Sequence, residues 1–229
     1  MIDYTGKLAI VTGGRNGNLG PIFTRTLESI GMHVFCLDLP EYDVRNSDDI
    51  RRAVITWGVP DVLVNNAAID NPPTGNGSYW GSWDEIMDVN LKGTQLCSQI
   101  IGRHMMMENG GGLIVNVCSI MGFVAADWHN YPEGFEKPGA YNVSKAAIMH
   151  LSKSMQGQFG RDGLRCVPIA FGPVDTGKFS EPFKGRMLER LPMGEFLTED
   201  DVRETLLFAL RCPHLAGAPV LVDAGYTCW

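Results

Sequence analysis

The arrangement around a glycine-rich segment near the N-terminus most limits what this chain can fold into. Residues 7–11 are apolar and partly β-branched, as in a buried parallel strand, and residues 21–30 carry apolar side chains at helical spacing. Pro21 begins that helix and Gly31 ends it, as expected for helix termini. A strand, a glycine loop and a helix N-terminus in this order can cradle a pyrophosphate, because the glycines let a ligand approach the backbone. A tight glycine turn without a ligand is the alternative.

An acidic residue ends the next predicted strand. Residues 33–37 are mostly apolar, and Asp38 follows them about eighteen residues after Gly20. A carboxylate at this place accepts hydrogen bonds from the adenosine ribose of a dinucleotide and repels a 2′-phosphate. Arg15 in the loop is the counter-argument, since a guanidinium can hold that phosphate. We therefore expect NAD as the cofactor, with NADP as the less favoured alternative.

Further apolar segments extend the same sheet. Residues 61–65 and 113–118 are predicted strands, followed by Asn66-Ala67-Ala68 and by Ser119 at the carboxyl ends, where ligands bind in an open α/β sheet. Because strands and helices alternate, the sequence predicts a single-domain α/β fold over residues 1–229. It is Rossmann-like, with a doubly wound parallel sheet and helices on both faces.

Shorter elements connect these strands. Residues 42–44 are expected to form a short strand. Ser47-Asp48-Asp49 is expected to cap the helix that follows, with Ser47 as the capping residue, and residues 69–81 are expected to form a loop. Ser82 with Glu85 has the pattern of a capping box, which begins a long predicted helix ending near residue 108.

Asn90 lies near the middle of that predicted helix, where asparagine is a poor helix former. One interpretation is an exposed polar position. The other is a local disturbance of the helix that frees a backbone carbonyl.

Tyr141 and Lys145 lie four residues apart at the start of a predicted helix, so both side chains leave it on one face. A free phenol, with a pKa of about 10, is a poor base at neutral pH. An ammonium close by favours phenolate and lowers that pKa, which would give a group able to exchange a proton with an alcohol or carbonyl. A tyrosine and a lysine at this spacing also arise by chance, so a catalytic role for the pair depends on the motifs that precede it in the sequence.

Composition excludes several classes of protein. A chain of 229 residues that is 45% hydrophobic can bury one substantial core. Its net charge of −7, without a basic block, argues against a nucleic-acid partner. We find no apolar run long enough to span a bilayer and no signal peptide, and therefore expect no membrane partner. The six cysteines are scattered, which indicates reduced thiols, a cytoplasmic protein and no metal site.

In their order along the chain, these motifs resemble the short-chain dehydrogenase/reductase family over almost the entire sequence. The matching residues are Thr12-Gly13 with Gly17 and Gly20, Asp38, Asn65-Asn66-Ala67, Asn90, Ser119, Tyr141 with Lys145, and Val222-Asp223-Ala224-Gly225-Tyr226. The resemblance implies an NAD(P)-dependent oxidoreductase that transfers a hydride between nicotinamide and a small secondary alcohol or ketone, with sugar derivatives among the candidates. It also implies a homodimer or homotetramer.

The resemblance further implies roles for single residues. Tyr141 would be the acid/base, and Ser119 would orient and polarise the substrate oxygen. Lys145 would hold the nicotinamide ribose and lower the pKa of Tyr141, while Asn90 would seat a water that leads protons to Lys145. The expected cofactor-binding residues are Gly13, Asn16, Gly17, Leu19, Gly20, Asp38, Asp43, Val44, Asn66, Ala67, Ala68, Tyr141, Lys145, Pro173, Val174 and Thr176.

Several features depart from the family pattern. The glycine loop has one extra residue, and the short stretch after Asp38 indicates that one strand–helix unit is truncated or missing. Phe171-Gly172 stands where the family has Pro-Gly, and Asn66-Ala67-Ala68 where it has Asn-Ala-Gly. The interval between Ser119 and Tyr141 is long, and this insertion resembles that of a branch of the family that acts in bacterial sugar-nucleotide or surface-glycan biosynthesis.

Residues 177–197 would form a substrate-covering lid. Their cations Lys178, Lys184, Arg186 and Arg190 either face an anionic substrate or lie on an ordinary solvated surface. Two other functions stay open. One is a dinucleotide-binding sensor without turnover, and the other is a sugar epimerase or dehydratase that uses NAD transiently.

Overall fold

The structure, a computed structural model, describes residues 3–70, 82–131, 133, 135 and 137–228. Most of the predicted loop over residues 69–81 lies outside them. The strands are β1 Leu8–Thr12, β2 His33–Leu37, β3 Val62–Asn65, β4 Gly112–Ser119, β5 Leu164–Phe171 and β6 Val220–Val222. The α-helices are α1 Gly20–Ser29, α2 Ser47–Trp57, α3 Trp83–Ile86, α4 Thr94–Glu108, α5 Gly139–Phe159, α6 Glu181–Glu189 and α7 Glu199–Arg211. All strands pair in parallel in one sheet, in the order β2-β1-β3-β4-β5-β6. The predicted fold class is confirmed.

Both faces of the sheet are covered, because successive strand side chains point to opposite sides. In β1, Ala9 and Val11 join the core formed with α1 and α7, whereas Ile10 joins the core formed with α2, α4 and α5. All three side chains are fully buried. This two-sided burial explains why the strands are nearly continuous apolar runs in the sequence.

The strand order reverses beside β1, and this reversal creates the ligand cleft. The chain passes from β1 to β2 on one side and later returns to β3 on the other side of β1. Thr12 and Asn65, the last residues of β1 and β3, are register partners. Loops that leave two such strands diverge, so the carboxyl edge of the sheet opens between them.

The connection between β2 and α2 corrects two predictions. Residues 42–44 form no strand, because their hydrogen bonds are local: the Asp43 backbone N–H donates to Asp49 at 3.0 Å. The expected cap of α2 at Ser47 is also wrong by one residue, since the Asn46 side chain accepts the Asp48 N–H at 2.9 Å. The connection from β2 to α2 holds no strand, which agrees with the separate expectation that one strand–helix unit is truncated or missing after Asp38.

The long helix predicted after Ser82 is interrupted. Ser82 has a φ of 55° and its side chain makes no capping hydrogen bond, so the predicted capping box is wrong. Residues Met87–Gly93 form a π-helical segment between α3 and α4, and Asn90 lies within it with no exposed surface. The interpretation of Asn90 as an exposed polar residue is therefore wrong, and the local disturbance is present.

Candidate active site

The glycine loop brings the backbone of β1 against the start of α1. A Cβ on Gly20 would lie 1.8 Å from the carbonyl oxygen of Gly13, so no side chain fits there. Gly13 itself has a φ of +64°, a conformation that glycine adopts without strain. The N-terminus of α1 consequently lies directly behind the loop, and the exposed backbone forms a cradle of the kind that accepts a pyrophosphate.

Thr12 and Asn66 tie this loop to the end of β3. The Thr12 hydroxyl accepts hydrogen bonds from the backbone N–H groups of Asn66 at 3.0 Å and Ala67 at 2.9 Å. The Asn66 amide in turn donates to the carbonyl oxygens of Thr12 at 3.1 Å and Gly13 at 2.9 Å. The two strand ends that border the cleft are thus held at a fixed separation.

Asp38 lies at the end of the cleft beside β2. Its side chain is almost buried, and one carboxylate oxygen accepts the backbone N–H of Arg15 at 2.8 Å. The Arg15 guanidinium is turned toward Glu41, with Nη1 and Oε2 3.3 Å apart. Asp38 is therefore fixed by the loop itself, while the charge of Arg15 is partly neutralised on the surface.

Three adjoining cavities follow the carboxyl edge of the sheet from Asp38 to Tyr131. They bring together most residues predicted to bind the cofactor: Gly13, Asn16, Gly17, Leu19, Asp38, Asp43, Val44, Asn66, Ala67, Ala68, Tyr141, Lys145, Pro173 and Val174. Gly20, Asn90 and Thr176 do not line these three cavities. Gly20 packs behind the loop, and Asn90 is buried below the floor.

Ser119, Tyr141 and Lys145 lie together in the middle of this cleft. Ser119 ends β4 and lines the same cavity as Tyr141, which lies in the first turn of α5. The Ser119 hydroxyl accepts the Met121 N–H at 3.2 Å. Tyr141 lines both the central cavity and the cavity next to Ser119. The Lys145 ammonium lies 5.6 Å from the centroid of the Tyr141 ring and donates to the Val117 carbonyl oxygen at 2.9 Å. The hydroxyls of Ser119 and Tyr141 and the buried Lys145 ammonium thus lie in the same part of the cleft.

The expected lowering of the Tyr141 pKa is not the net effect in this structure. Burial raises the pKa of Tyr141, because a phenolate loses hydration there, and the carboxylate of Asp70 raises it further. The neighbouring Ser119 hydroxyl acts in the opposite direction. Burial also lowers the pKa of Lys145. The neighbouring positive charge alone, without the cost of desolvation, gives the wrong direction for the Tyr141 pKa.

Asn90 acts as a brace below the cleft. Its amide accepts the Ile69 N–H at 2.8 Å and donates to the Ile69 carbonyl oxygen at 3.0 Å and the Ser144 hydroxyl at 3.2 Å. Ser144 donates to the carbonyl oxygen of Tyr141 at 2.7 Å. The Asn90 side chain therefore connects the loop after β3 with the first turn of α5.

An ion pair beside Tyr141 was missed from the sequence. The ammonium of Lys137 lies 4.5 Å from the centroid of the Tyr141 ring and pairs with the carboxylate of Asp70. Lys137 is almost fully buried. Two signals were available: Lys137 precedes Tyr141 by four residues, and Asp70 follows the polar residues at the end of β3.

Asp70→Asn is expected to lower the pKa of Tyr141, because it removes the carboxylate that raises it and frees the charge of Lys137. At a given pH more of Tyr141 would be phenolate, and the limb of any pH–rate profile that depends on it would move to lower pH. Tyrosinate absorbance, taken as the difference from the same protein carrying Tyr141→Phe, measures this pKa. Asp48→Asn, which removes a surface carboxylate paired with Arg51 on α2, is the control. An unchanged or raised Tyr141 pKa would contradict the assignment.

The four cations of residues 177–197 all have protein partners. The Lys178 ammonium donates to the Gly17 carbonyl oxygen at 3.0 Å, and the Lys184 ammonium lies 2.9 Å from the Asp175 carboxylate. Arg186 donates to the Asn130 carbonyl oxygen at 3.1 Å, and Arg190 lies 2.8 Å from the Asp127 carboxylate. These contacts favour the interpretation in which the cations serve the fold of this segment. The fold and the cleft together define an α/β protein that binds a nucleotide at the carboxyl edge of its sheet.

Comparison with known proteins gives a consistent result. Residues 21–227 match the family model described as enoyl-(acyl carrier protein) reductase. The chain is 29% identical to 2-(R)-hydroxypropyl-CoM dehydrogenase of Xanthobacter autotrophicus, over 96% of this chain and 98% of the relative. It is 30% identical to galactitol 2-dehydrogenase of Rhizobium johnstonii, over 98% of this chain and 96% of the relative. A short-chain dehydrogenase from Leptospira borgpetersenii, solved with bound NAD+, superposes with a TM-score of 0.88 at 26% identity, covering 98% and 94% of the two chains.

The chain belongs to the short-chain dehydrogenase/reductase family. It is an NAD(P)-dependent dehydrogenase or reductase. The relatives named above carry no name from surface-glycan biosynthesis, so that finer assignment stays a prediction.

Proposed function

We propose that this protein interconverts a small secondary alcohol and its ketone, with NAD as the cofactor and Tyr141 as the acid/base. The observation that carries the proposal is that Ser119 and Tyr141 line one cavity together, while Tyr141 also lines the adjoining cavity beside the glycine loop. One cavity adjoins the glycine loop, and the other is open for a substrate. A substrate oxygen at the junction of these two cavities would meet both hydroxyls.

In the proposed reaction, Tyr141 would transfer the proton and Ser119 would hydrogen-bond the reacting oxygen. A bound nicotinamide would supply the hydride acceptor or donor. In the oxidation direction, Tyr141 would take the hydroxyl proton while Ser119 donates a hydrogen bond to the same oxygen. In the reduction direction, Tyr141 would return the proton. Negative charge that develops on the oxygen would meet two fixed donors, and such preorganised donors are a major source of catalysis.

Lys145 and Asn90 would support this exchange. The Lys145 ammonium is buried close to Tyr141 and would favour the phenolate during proton removal. It would also hold the nicotinamide ribose. Because the Asn90 amide is already bonded to Ile69 and Ser144, a water on a proton path would bind the Asn90 main-chain carbonyl instead.

NAD is the proposed cofactor because of Asp38. Its carboxylate is fixed beside the cavity at the end of β2, where ribose hydroxyls would donate to it and a 2′-phosphate would be repelled. Arg15 is the residue that could favour NADP, but its guanidinium is directed at Glu41. By family resemblance, Thr176 would contact the nicotinamide carboxamide, although it does not line the three cavities. Residues 177–197 would form a lid over the nicotinamide.

Asp38→Ala is expected to weaken NAD binding tenfold or more, because a hydrogen bond to a charged group is worth about 1.5–3 kcal/mol. The same substitution should improve the relative affinity for NADP by removing the repulsion. Calorimetric titration with both cofactors measures the effect. Asp162→Ala, which changes an exposed carboxylate away from the cleft, is the control. Tighter binding of NADP than of NAD by the parent protein would overturn the choice of cofactor.

The proposed reaction is tested with a panel of alcohols, ketones and sugar derivatives followed by NADH absorbance. A 2-enoyl thioester belongs in the panel because of the description of the matched family model. We expect NADH formation from at least one secondary alcohol. NAD binding without any turnover would favour a sensor, and product formation without net NADH would favour an epimerase or dehydratase.

We also propose a homodimer or homotetramer that pairs through α4 and α5. An apolar groove between these helices supports this, lined by Met106, Leu151, Met155 and Phe159 among others. No helix among the described residues is long and apolar enough to cross a membrane. All six cysteines are free thiols, which supports the proposed cytoplasmic location.

A further inference from the structure

The cavity on the far side of Tyr141 is walled mainly by apolar side chains. It begins at Ser119 and Tyr141 and extends between the segment after β4 and the start of α6. Its walls include Ile120, Met121, Tyr131, Phe179, Phe183 and Met187. Besides the two hydroxyls at the reacting end, the polar side chains that line it in the described part of the chain are those of Asn18, Tyr131 and Lys137.

Aromatic rings in contact with one another form a continuous part of this wall. The ring centroids of Tyr131 and Phe183 are 5.6 Å apart, and those of Phe179 and Phe183 are 5.0 Å apart. Phe135 stacks on Tyr131 from one side at 4.8 Å, and Phe196 supports Phe179 at 5.6 Å. Ring pairs at these separations stabilise one another, so the wall is a packed surface.

The cation at the cavity is already neutralised. Lys137 pairs with Asp70 and lies over the Tyr141 ring, so its charge has two partners before any substrate binds. The four cations of residues 177–197 are held by the protein contacts described above. Within the described residues, the lining therefore offers no unpaired cation for a phosphate or carboxylate.

We propose that the substrate is a neutral secondary alcohol or ketone whose body beyond the reacting carbon is apolar, such as a carbocycle. The inference rests on the proposed function and narrows it. Every hydroxyl of a polyol that entered this cavity would lose hydration, and few side chains there could replace the lost hydrogen bonds. An apolar ring would instead bury its surface against the aromatic wall.

Two pairs of compounds that share a carbon skeleton test the substrate class. Cyclohexanol is compared with myo-inositol, and 2-hexanol with galactitol, by kcat/KM with NAD. We expect the apolar member of each pair to be preferred about a hundredfold or more, since an apolar pocket rejects even one added hydroxyl by about that factor. Equal or better turnover of myo-inositol or galactitol would overturn this inference and leave the proposed function intact.

Phe183→Ala tests whether the aromatic side chains that line the cavity cause the preference for apolar substrates. It should lower kcat/KM for cyclohexanol by about ten- to a hundredfold, because much of a ring's contact surface is lost, while Phe183→Leu should retain more activity. Phe208→Ala is the matched control, since Phe208 is a half-exposed ring on α7 outside the cavity. Equal effects of Phe183→Ala and Phe208→Ala would overturn the assignment of the wall.

A binding measurement separates the two proposals if nothing turns over. The protein saturated with NADH is titrated calorimetrically with cyclohexanone and with its polyhydroxylated counterpart, an inosose. Stronger binding of cyclohexanone, weakened by Phe183→Ala, would support the apolar pocket even though the proposed function had failed. Stronger binding of the inosose would overturn it.

Discussion

Tyr141→Phe is expected to lower kcat by about 10²–10⁴-fold, the usual contribution of a positioned acid/base. The substitution removes only the phenolic oxygen. The ring that fills the wall between the two cavities stays, and so do the neighbouring contacts of Lys145 with Val117 and of Lys137 with Asp70. We therefore expect a folded protein with nearly unchanged affinity for NAD. Initial rates of NADH formation together with calorimetric titration of NAD measure both quantities.

Tyr4→Phe is the matched control for this substitution. The Tyr4 hydroxyl donates to the Leu210 carbonyl oxygen at 3.0 Å, away from the carboxyl edge of the sheet. Its loss should cost about 1 kcal/mol of stability and leave kcat unchanged. If Tyr141→Phe turned over substrate as fast as the parent, another group would have to handle the proton, and the proposed mechanism would fail.

Ser119→Ala should have the second largest effect, a loss of about 10²–10³-fold in kcat, as for the removal of one donor from an oxyanion site. The hydroxyl would act mainly on the charge that develops during the reaction, so KM should change much less than kcat. Because the neighbouring Ser119 hydroxyl works against the raised pKa of Tyr141, its loss should also move the acidic limb of the pH–rate profile to higher pH.

Ser29→Ala separates this effect from the general cost of losing a hydroxyl. Ser29 donates to the Thr26 carbonyl oxygen at 2.7 Å, at the end of α1 opposite the glycine loop. Its substitution should leave kcat and the pH–rate profile unchanged. A rise in KM alone for Ser119→Ala, with kcat retained, would assign Ser119 to substrate binding instead of transition-state stabilisation.

The sheet was predictable because its residues are under simple constraints. Strands buried on both faces must be apolar throughout, so β1, β3 and β4 stand out from the sequence. Gly20 is equally constrained, because a Cβ there would collide with Gly13. The capping box of α7 is formed by Thr198 and Asp201, which are only three residues apart. In each case neighbours in sequence, or burial alone, determine the structure.

The remaining features depend on partners distant in sequence. Within the π-helical segment, the Asn90 side-chain amide is hydrogen-bonded to Ile69 and Ser144. The helix propensities of residues 87–93 alone do not predict these contacts. The ion pair of Asp70 and Lys137 likewise joins the end of β3 to the approach to α5. The net direction of the Tyr141 pKa shift also depends on the surroundings, because burial and the Asp70 carboxylate raise the pKa more than the neighbouring Ser119 hydroxyl lowers it. The motifs are therefore visible in the sequence, whereas the burial and the neighbouring charges that set the pKa of Tyr141 are visible only in the structure.

The most direct test of the account is the fate of the hydrogen on the reacting carbon. The alcohol that turns over best is prepared with deuterium at that carbon, and the mass of the nicotinamide cofactor is measured after reaction with the parent protein. The account predicts that the NADH formed carries the deuterium. Deuterium that is lost to water, or retained in a product formed without net NADH, would contradict direct hydride transfer at the site of Ser119 and Tyr141.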